Sequence, residues 1–179
     1  VNEYDGWSLA QIQYNFMDVN EQAGMRGLHY AAEKGLAVIV MEPLRGGKLA
    51  KNPPPAPVAR LWAQAPIQRT PADWALQWLW NQPEVSLVLS GMSTMQQVIE
   101  NVASAERSGV GSLTAGELAL VEQVRAAYQA LIPIPCTACG YCQPCPQGVA
   151  IPRIFSIYNE GIMYDDLPGA RDAYRHWLD

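Results

Sequence analysis

The sequence predicts an α/β fold of parallel strands with helical crossovers, followed by a small cysteine-rich appendage. Three observations carry that expectation. Short apolar, β-branched runs alternate with longer stretches of helical period, the order of a layered α/β sheet. The helical stretches are bounded by recognisable start and stop residues. All four cysteines of the chain fall between Cys136 and Cys145, beyond the last βα unit.

Taken in order, residues 9–16 (LAQIQYNF) alternate as a short strand. Asn20 opens a helix over EQAGMRGLHYAAEKG, closed by Lys34 and Gly35. Residues 36–41 (LAVIVM) are an uninterrupted apolar run, the mark of a strand buried on both faces. Pro43, Arg45, Gly46 and Gly47 make a turn, and residues 52–57 a proline-rich loop. Thr70 is an N-cap with Pro71 at the first helical position, opening ADWALQWLWNQ. Trp74, Leu76, Trp78 and Trp80 put bulk on more than one face of that helix, which marks core or interdomain packing. Residues 86–90 (SLVLS) are a third buried strand, followed by Gly91 and the helix TMQQVIENVASAER. Thr114 and Glu117 form a capping box for ELALVEQVRAAYQAL. After the cysteines, an amphipathic helix starts near Pro152, and a polar, aromatic stretch ends in RDAYRHWLD, with Glu160, Asp165 and Asp166 on a solvated face.

Length and composition bound the function classes. At 179 residues the chain is one domain, or one domain with an appendage. With 49% hydrophobic and 16% charged residues it can bury a core. A net charge of −5 and the lack of a Lys/Arg run argue against nucleic acid as a partner. No apolar run reaches the roughly 18 residues of a membrane span, and no secretory leader is visible. Clustered cysteines without a disulfide scaffold suit the reducing cytoplasm.

The cysteine loop reads CTACGYCQPCP, with cysteines at Cys136, Cys139, Cys142 and Cys145. Tetrahedral sulfur ligation belongs to iron–sulfur clusters or zinc. The run differs from the bacterial ferredoxin spacing by one residue before its Cys-Pro. Zinc sites more often separate two CxxC pairs by a long spacer, and none exists here. Gly140 frees a turn, Pro144 and Pro146 stiffen the loop, and Tyr141 is placed to shield the centre from water. A [4Fe–4S] cluster is the first expectation, zinc the second, and thiols or disulfides the third.

QIQYN (residues 11–15), VMEPLRGGKLA (40–50) and SGMSTMQQVIENV (90–102) resemble the last three βα units of an aldo/keto reductase. The cysteine run followed by PQGVAIP resembles the C-terminal extension of the iron–sulfur branch of that family. The resemblance implies the C-terminal portion of a TIM barrel over residues 1–132 and a ferredoxin-like cluster module over 133–179. Three βα units alone are too few to close a barrel of about 250 residues. It further implies an NADP(H) or NAD(H) cofactor held in extended form, without a GxGxxG fingerprint. Position by position, Gln11 would bond the nicotinamide carboxamide, and Met41 would stand where an aromatic stacks on the ring. Glu42, Leu44, Arg45 and Gly46 would run along the pyrophosphate, with Gly91, Met92 and Ser93 at the adenosine phosphate. Glu100 and Asn101 would contact the adenine. Gln97 stands where many members carry an arginine for the 2′-phosphate, and glutamine brings no charge.

The family's catalytic Asp, Tyr, Lys and His lie on strands without a counterpart here. The expectation is therefore the C-terminal piece of an NAD(P)H-dependent oxidoreductase, inactive alone on a small-molecule carbonyl substrate. Tyr14 follows Gln11 in its strand and is not the proton donor, and His29 and His176 are packed or solvated. A redox partner protein is expected if the cluster relays electrons, and none if it only staples the tail. The rival expectations are a non-enzymatic electron carrier and a zinc-stabilised interaction domain. An incomplete barrel should also expose apolar surface and self-associate.

Overall fold

The computed structural model describes residues 3–136 and 139–178. Residues 1, 2, 137, 138 and 179 lie outside the description, and with them two positions of the cysteine loop and the outer ends of the two expected units. Among the described residues, strands β1 (Leu9–Gln13), β2 (Ala37–Met41) and β3 (Leu87–Val88) form one parallel sheet in the order β1-β2-β3. Helix α1 (Gly24–Glu33) crosses from β1 to β2. Helices α2 (Ala56–Trp62) and α3 (Pro71–Trp80) lie between β2 and β3, and α4 (Met95–Glu106) and α5 (Ala115–Ala130) follow. Helices α6 (Ile151–Met163) and α7 (Leu167–Leu178) close the chain. No helix among the described residues is long and apolar enough to cross a membrane.

Several boundaries differ from expectation for identifiable reasons. Strand β1 stops at Gln13 because Asn15, fully buried, turns the chain: its Oδ1 accepts from Met17 N and Asp18 N, both at 3.0 Å. Helix α1 begins at Gly24, since residues 20–23 form a turn without a side-chain cap. The proline-rich loop ends earlier than expected, as α2 starts at Ala56 with Pro57 in its first turn, where a missing N–H costs nothing. The tail beyond Asp166 is a helix rather than an irregular stretch, because Asp166 Oδ1 accepts from Gly169 N at 3.1 Å and starts α7. The caps expected at Thr70 and Thr114 are formed, and Thr94 with Gln97 makes a further capping box at the start of α4.

The sheet is covered on one face only. Register pairs Ala10 with Val38, and Ile12 with Val40 beside Val88, on the face against which α1 and α3 pack. Val38 and Val40 are fully buried there. The opposite face carries Leu9, Gln11, Ile39, Met41, Leu87 and Leu89, and it stays open: Leu9, Leu87 and Leu89 are 49%, 45% and 43% exposed. This corrects the expectation of strands buried on both faces. The apolar run in β2 is built for two covers, and three strands supply one.

Helix α3 is the hub of the covered side. Trp74, Ala75, Leu76 and Leu79 are buried around its circumference, which makes it an interior helix. The rings of Trp62 and Trp74 stack at 4.9 Å, Arg69 lies over Trp74, and Trp78 meets Tyr14 at 5.3 Å. The tail joins the same core: Met163 and Tyr164, at the end of α6, pack with Tyr128 of α5.

Candidate functional site

A cleft of about 1140 Å³ opens at the carboxyl ends of β2 and β3, the end of a parallel sheet where ligands bind. Met41, Glu42, Leu44 and Gly46 line it from the turn after β2. Gly91, Met92, Ser93, Gln97, Glu100 and Asn101 line it from the loop after β3 and the first turns of α4. Two expected residues stand apart from the lining. Gln11 sits one strand away on the open face, and its Nε2 donates to Met41 Sδ at 2.6 Å. Arg45 turns away altogether. A separate depression beside α1, lined by Met25, His29, Tyr30 and Glu33, holds none of the expected site residues. His29 there lies 3.7 Å from Glu84.

The turn after β2 is strained. Glu42 and Arg45 have φ of 53° and 50°, and Gly46 and Gly47 follow at 63° and 83°. A non-glycine residue in that region costs of order 1–3 kcal/mol and persists only when its surroundings hold it. Here Asn15 Nδ2 donates to Glu42 O at 3.0 Å, Gly46 N donates to Glu42 Oε2 at 2.5 Å, and Leu49 N closes on Leu44 O at 3.0 Å. The result is a tight backbone loop turned toward the cleft.

The other wall is the start of α4. Thr94 Oγ1 accepts from Gln97 N, while Gln97 Oε1 accepts from Ser93 N at 2.8 Å and Thr94 N at 3.2 Å. The Gln97 carbonyl oxygen is thus committed to the helix cap. Asn101 Nδ2 donates to Ser90 Oγ at 3.0 Å and ties α4 to the end of the sheet. Glu100 accepts from Gln96 at 2.7 Å.

Arg45 leaves the cleft because α6 offers stronger partners. Its Nε lies 3.2 Å from Asp18 Oδ2, its Nη1 donates to the Tyr164 hydroxyl at 2.5 Å, and its Nη2 is 3.9 Å from Glu160. Burial works against the Arg45 charge, but Tyr164, Asp18 and Glu160 outweigh it and raise the Arg45 pKa. Burial also pushes the Tyr164 hydroxyl up to about 12, against the lowering effect of Arg45. Lys48 pairs with Glu160, and Lys51 Nζ donates to the Tyr164 and Asp165 carbonyls at 2.9 and 2.5 Å, a cation capping the end of α6. Lys48, Lys51, Tyr164 and Asp166 therefore line the cleft as well, and sequence reading assigned none of them. KLAK directly after the glycine turn hinted at the lysines. The tail residues carried no signal, since only the folded chain brings them to the cleft.

The size of the cleft and its backbone turns suit an extended dinucleotide. Its lysines are both engaged at the end of α6, and Gly46 N, Ser93 N and Thr94 N in its lining donate to Glu42 and Gln97.

The cysteine loop is a different surface. Ile134, at its start, is held by Asn159 of α6 through both its N–H (3.1 Å) and its carbonyl (2.7 Å). Gly140 and Gly148, at φ of 76° and 69°, make its turns. Cys136, Cys139 and Cys142 are exposed and Cys145 is half-buried. Number and type of donor suit a sulfur-ligated centre. Their arrangement does not: among the described residues no three Cys, His, Asp or Glu side chains come together to hold a metal ion. Tyr141 is 98% exposed, which corrects its expected shielding role; the loop has no packed interior for the ring to cover.

Residues 2–124 match the model of the aldo/keto reductase family. An aldo-keto reductase of Bacillus halodurans, in its holo form, superposes with a TM-score of 0.50 at 25% identity, over 64% of this chain and 41% of that one. Its apo form superposes with a TM-score of 0.51 at 24% identity, over 65% and 43%. The chain thus spans about two fifths of the length of those structures. No curated protein matches it significantly.

Proposed function

This chain belongs to the aldo/keto reductase family, and on that basis we propose that it holds the nicotinamide dinucleotide of an NAD(P)H-dependent, carbonyl-reducing oxidoreductase. The observation that carries the proposal is the convergence, in one cleft at the carboxyl ends of β2 and β3, of Met41, Glu42, Leu44 and Gly46 with Gly91, Met92, Ser93, Gln97, Glu100 and Asn101. When bound, the nicotinamide supplies a hydride to a carbonyl carbon. The chain's own residues bind and orient it: Gln11 and Met41 at the nicotinamide, the 42–46 turn along the pyrophosphate, and residues 91–101 around the adenosine end. In the strained turn Gly46 N is held by Glu42, and at the start of α4 Ser93 N and Thr94 N are held by Gln97, so a phosphate meeting these donors would displace those side-chain oxygens.

The proton taken up by the carbonyl oxygen is assigned to a tyrosine outside these residues. Tyr164, the tyrosine that lines the cleft, is 1% exposed with its hydroxyl committed to Arg45. The chain alone is expected to bind the dinucleotide and not to turn over a small carbonyl substrate. Fluorescence titration with NADPH and NADH tests this: saturable binding without carbonyl-dependent oxidation supports the assignment, and no binding of either removes it.

We further propose that Cys136, Cys139, Cys142 and Cys145 ligate a [4Fe–4S] cluster in a reducing cytoplasm. Their spacing and the resemblance of the run and PQGVAIP to an iron–sulfur branch support this, and the loop would have to close to bring the four sulfurs together. A redox partner protein follows only if the cluster is redox-active. Anaerobic purification of the chain and of Cys142→Ser decides the metal. A brown protein with about four irons and a band near ~400 nm, lost in the variant, supports the cluster. A colourless protein holding one zinc contradicts it and favours a structural staple.

A further inference from the structure

The turn that lines the cleft is held from behind by the chain's last helices. Arg45 sits in the middle of that turn at φ 50°, and its side chain runs away from the cleft to Tyr164 and Glu160 of the α6–α7 corner and to Asp18. Three residues on, Lys48 is paired with Glu160; Lys51 follows, on the carbonyls of Tyr164 and Asp165. One short segment is therefore gripped through three cations by one corner of the tail. The corner is a firm abutment: Tyr164 is 1% exposed and packs on Tyr128 at 5.4 Å.

We propose that Arg45 and Tyr164 are positioning residues for nucleotide binding: their bond, made outside the cleft, fixes residues 42–47 in the shape that a dinucleotide meets. The inference rests on the nicotinamide reading above. A turn with left-handed backbone at Glu42 and Arg45 relaxes unless something holds it, and its internal bonds run from Glu42 to Arg45 and Gly46 and from Leu44, Arg45 and Gly47 into the 3-10 turn Lys48–Ala50. Asn15 Nδ2 ties the start of this turn to the chain after β1, and the Arg45 fork, with carboxylates on two sides and a hydroxyl on a third, is the contact that ties its middle to the tail. Tail and cofactor site are thereby coupled through contacts distinct from the cysteine loop.

The test is a double-mutant cycle on the full chain, read as NADPH affinity. Arg45→Lys keeps the charge and loses the fork, and Tyr164→Phe keeps the ring and loses the hydroxyl. Each single variant is expected to weaken binding roughly five- to tenfold, the double variant no further than the weaker single, because both break one bond. Amide exchange at Gly46 and Gly47 should accelerate in all three. Should Tyr164→Phe fail to fold, Glu160→Gln loosens the same grip and takes its place. A purely structural role predicts a lower unfolding temperature with unchanged affinity and exchange, and that result overturns the inference. Weakening in Tyr164→Phe alone also overturns it, since it makes Tyr164 a direct contact. Failure of the wild type to bind NADPH or NADH overturns the nicotinamide reading and this inference together, which the variants of a binding wild type cannot mimic.

Discussion

Gln97 shows how one side chain can answer to two demands. Its oxygen accepts from Ser93 N and Thr94 N and completes the capping box of α4, while the side chain lines the cleft, at the place of the 2′-phosphate on the proposed reading. An arginine there would bring charge and forfeit the cap. Gln97→Arg is therefore expected to raise affinity for NADPH over NADH by about tenfold, while lowering stability by about 0.5–1 kcal/mol. Parallel titrations and a thermal melt read both effects.

Glu117 carries a comparable double load in the core. It is 3% exposed, accepts from Thr114 N and Oγ1 at 2.9 Å, and pairs with Arg69 at 2.5 Å. Burial alone would raise its pKa, but the bonds to Arg69 and Thr114 outweigh it and hold the carboxyl below its usual value of 4.5. With the folded-state pKa depressed, the stabilisation is complete above the unfolded value and is lost as pH falls through the folded one. Stability measured by urea unfolding should therefore decline below about pH 4.5. Glu117→Gln should flatten that decline and cost roughly 3 kcal/mol at neutral pH by leaving Arg69 unpaired.

At the scale of elements, α3 holds the layer together. Trp74 is fully buried, stacked on Trp62 and covered by Arg69, so Trp74→Ala opens a cavity between α2, α3 and α5. A loss of about 3–5 kcal/mol is expected, measurable by chemical denaturation. How much of this was legible in the sequence depends on range. Thr70-Pro71 and Thr114 with Glu117 announce their helices because a cap acts over three residues, and both are formed. Asn15 was read as strand, because the Asx turn that ends β1 competes with the sheet through a side chain that patterning does not weigh. The prolines before Val58 looked like loop, yet the first turn of a helix tolerates them.

The site divides in the same way. Met41, Glu42, Leu44, Gly46, Gly91, Met92, Ser93, Gln97, Glu100 and Asn101 stand in the motifs that carry the family resemblance, and the fold brings them to one cleft. Arg45 was misplaced for a physical reason: its partners, Glu160 and Tyr164, lie more than a hundred residues later, and nothing near it in sequence announces them. Family membership came from the ordered motifs, and residues 2–124 bear it out. The cluster rests on the cysteine spacing and on the resemblance of the run and PQGVAIP to an iron–sulfur branch, and the described residues do not gather the sulfurs.

For the molecule as a whole, the open sheet face is the dominant fact. Leu9, Leu87 and Leu89, each more than two fifths exposed, share it with Ile39 and Met41, and β1 and β3 both present unpaired edges. Such a surface is expected to self-associate. Sedimentation velocity should show concentration-dependent oligomers of this chain, shifted toward monomer by Leu87→Lys; a monomer at all concentrations would contradict that expectation.

On the proposed reading, the cleft at the ends of β2 and β3 receives a nicotinamide dinucleotide. Hydrogen exchange with and without saturating NADPH tests it at the residues concerned. Exchange is expected to slow in two separated segments, residues 41–51 and 89–101, with little change in the cysteine loop or in α7. Unchanged exchange in both segments, or protection centred elsewhere, would contradict it.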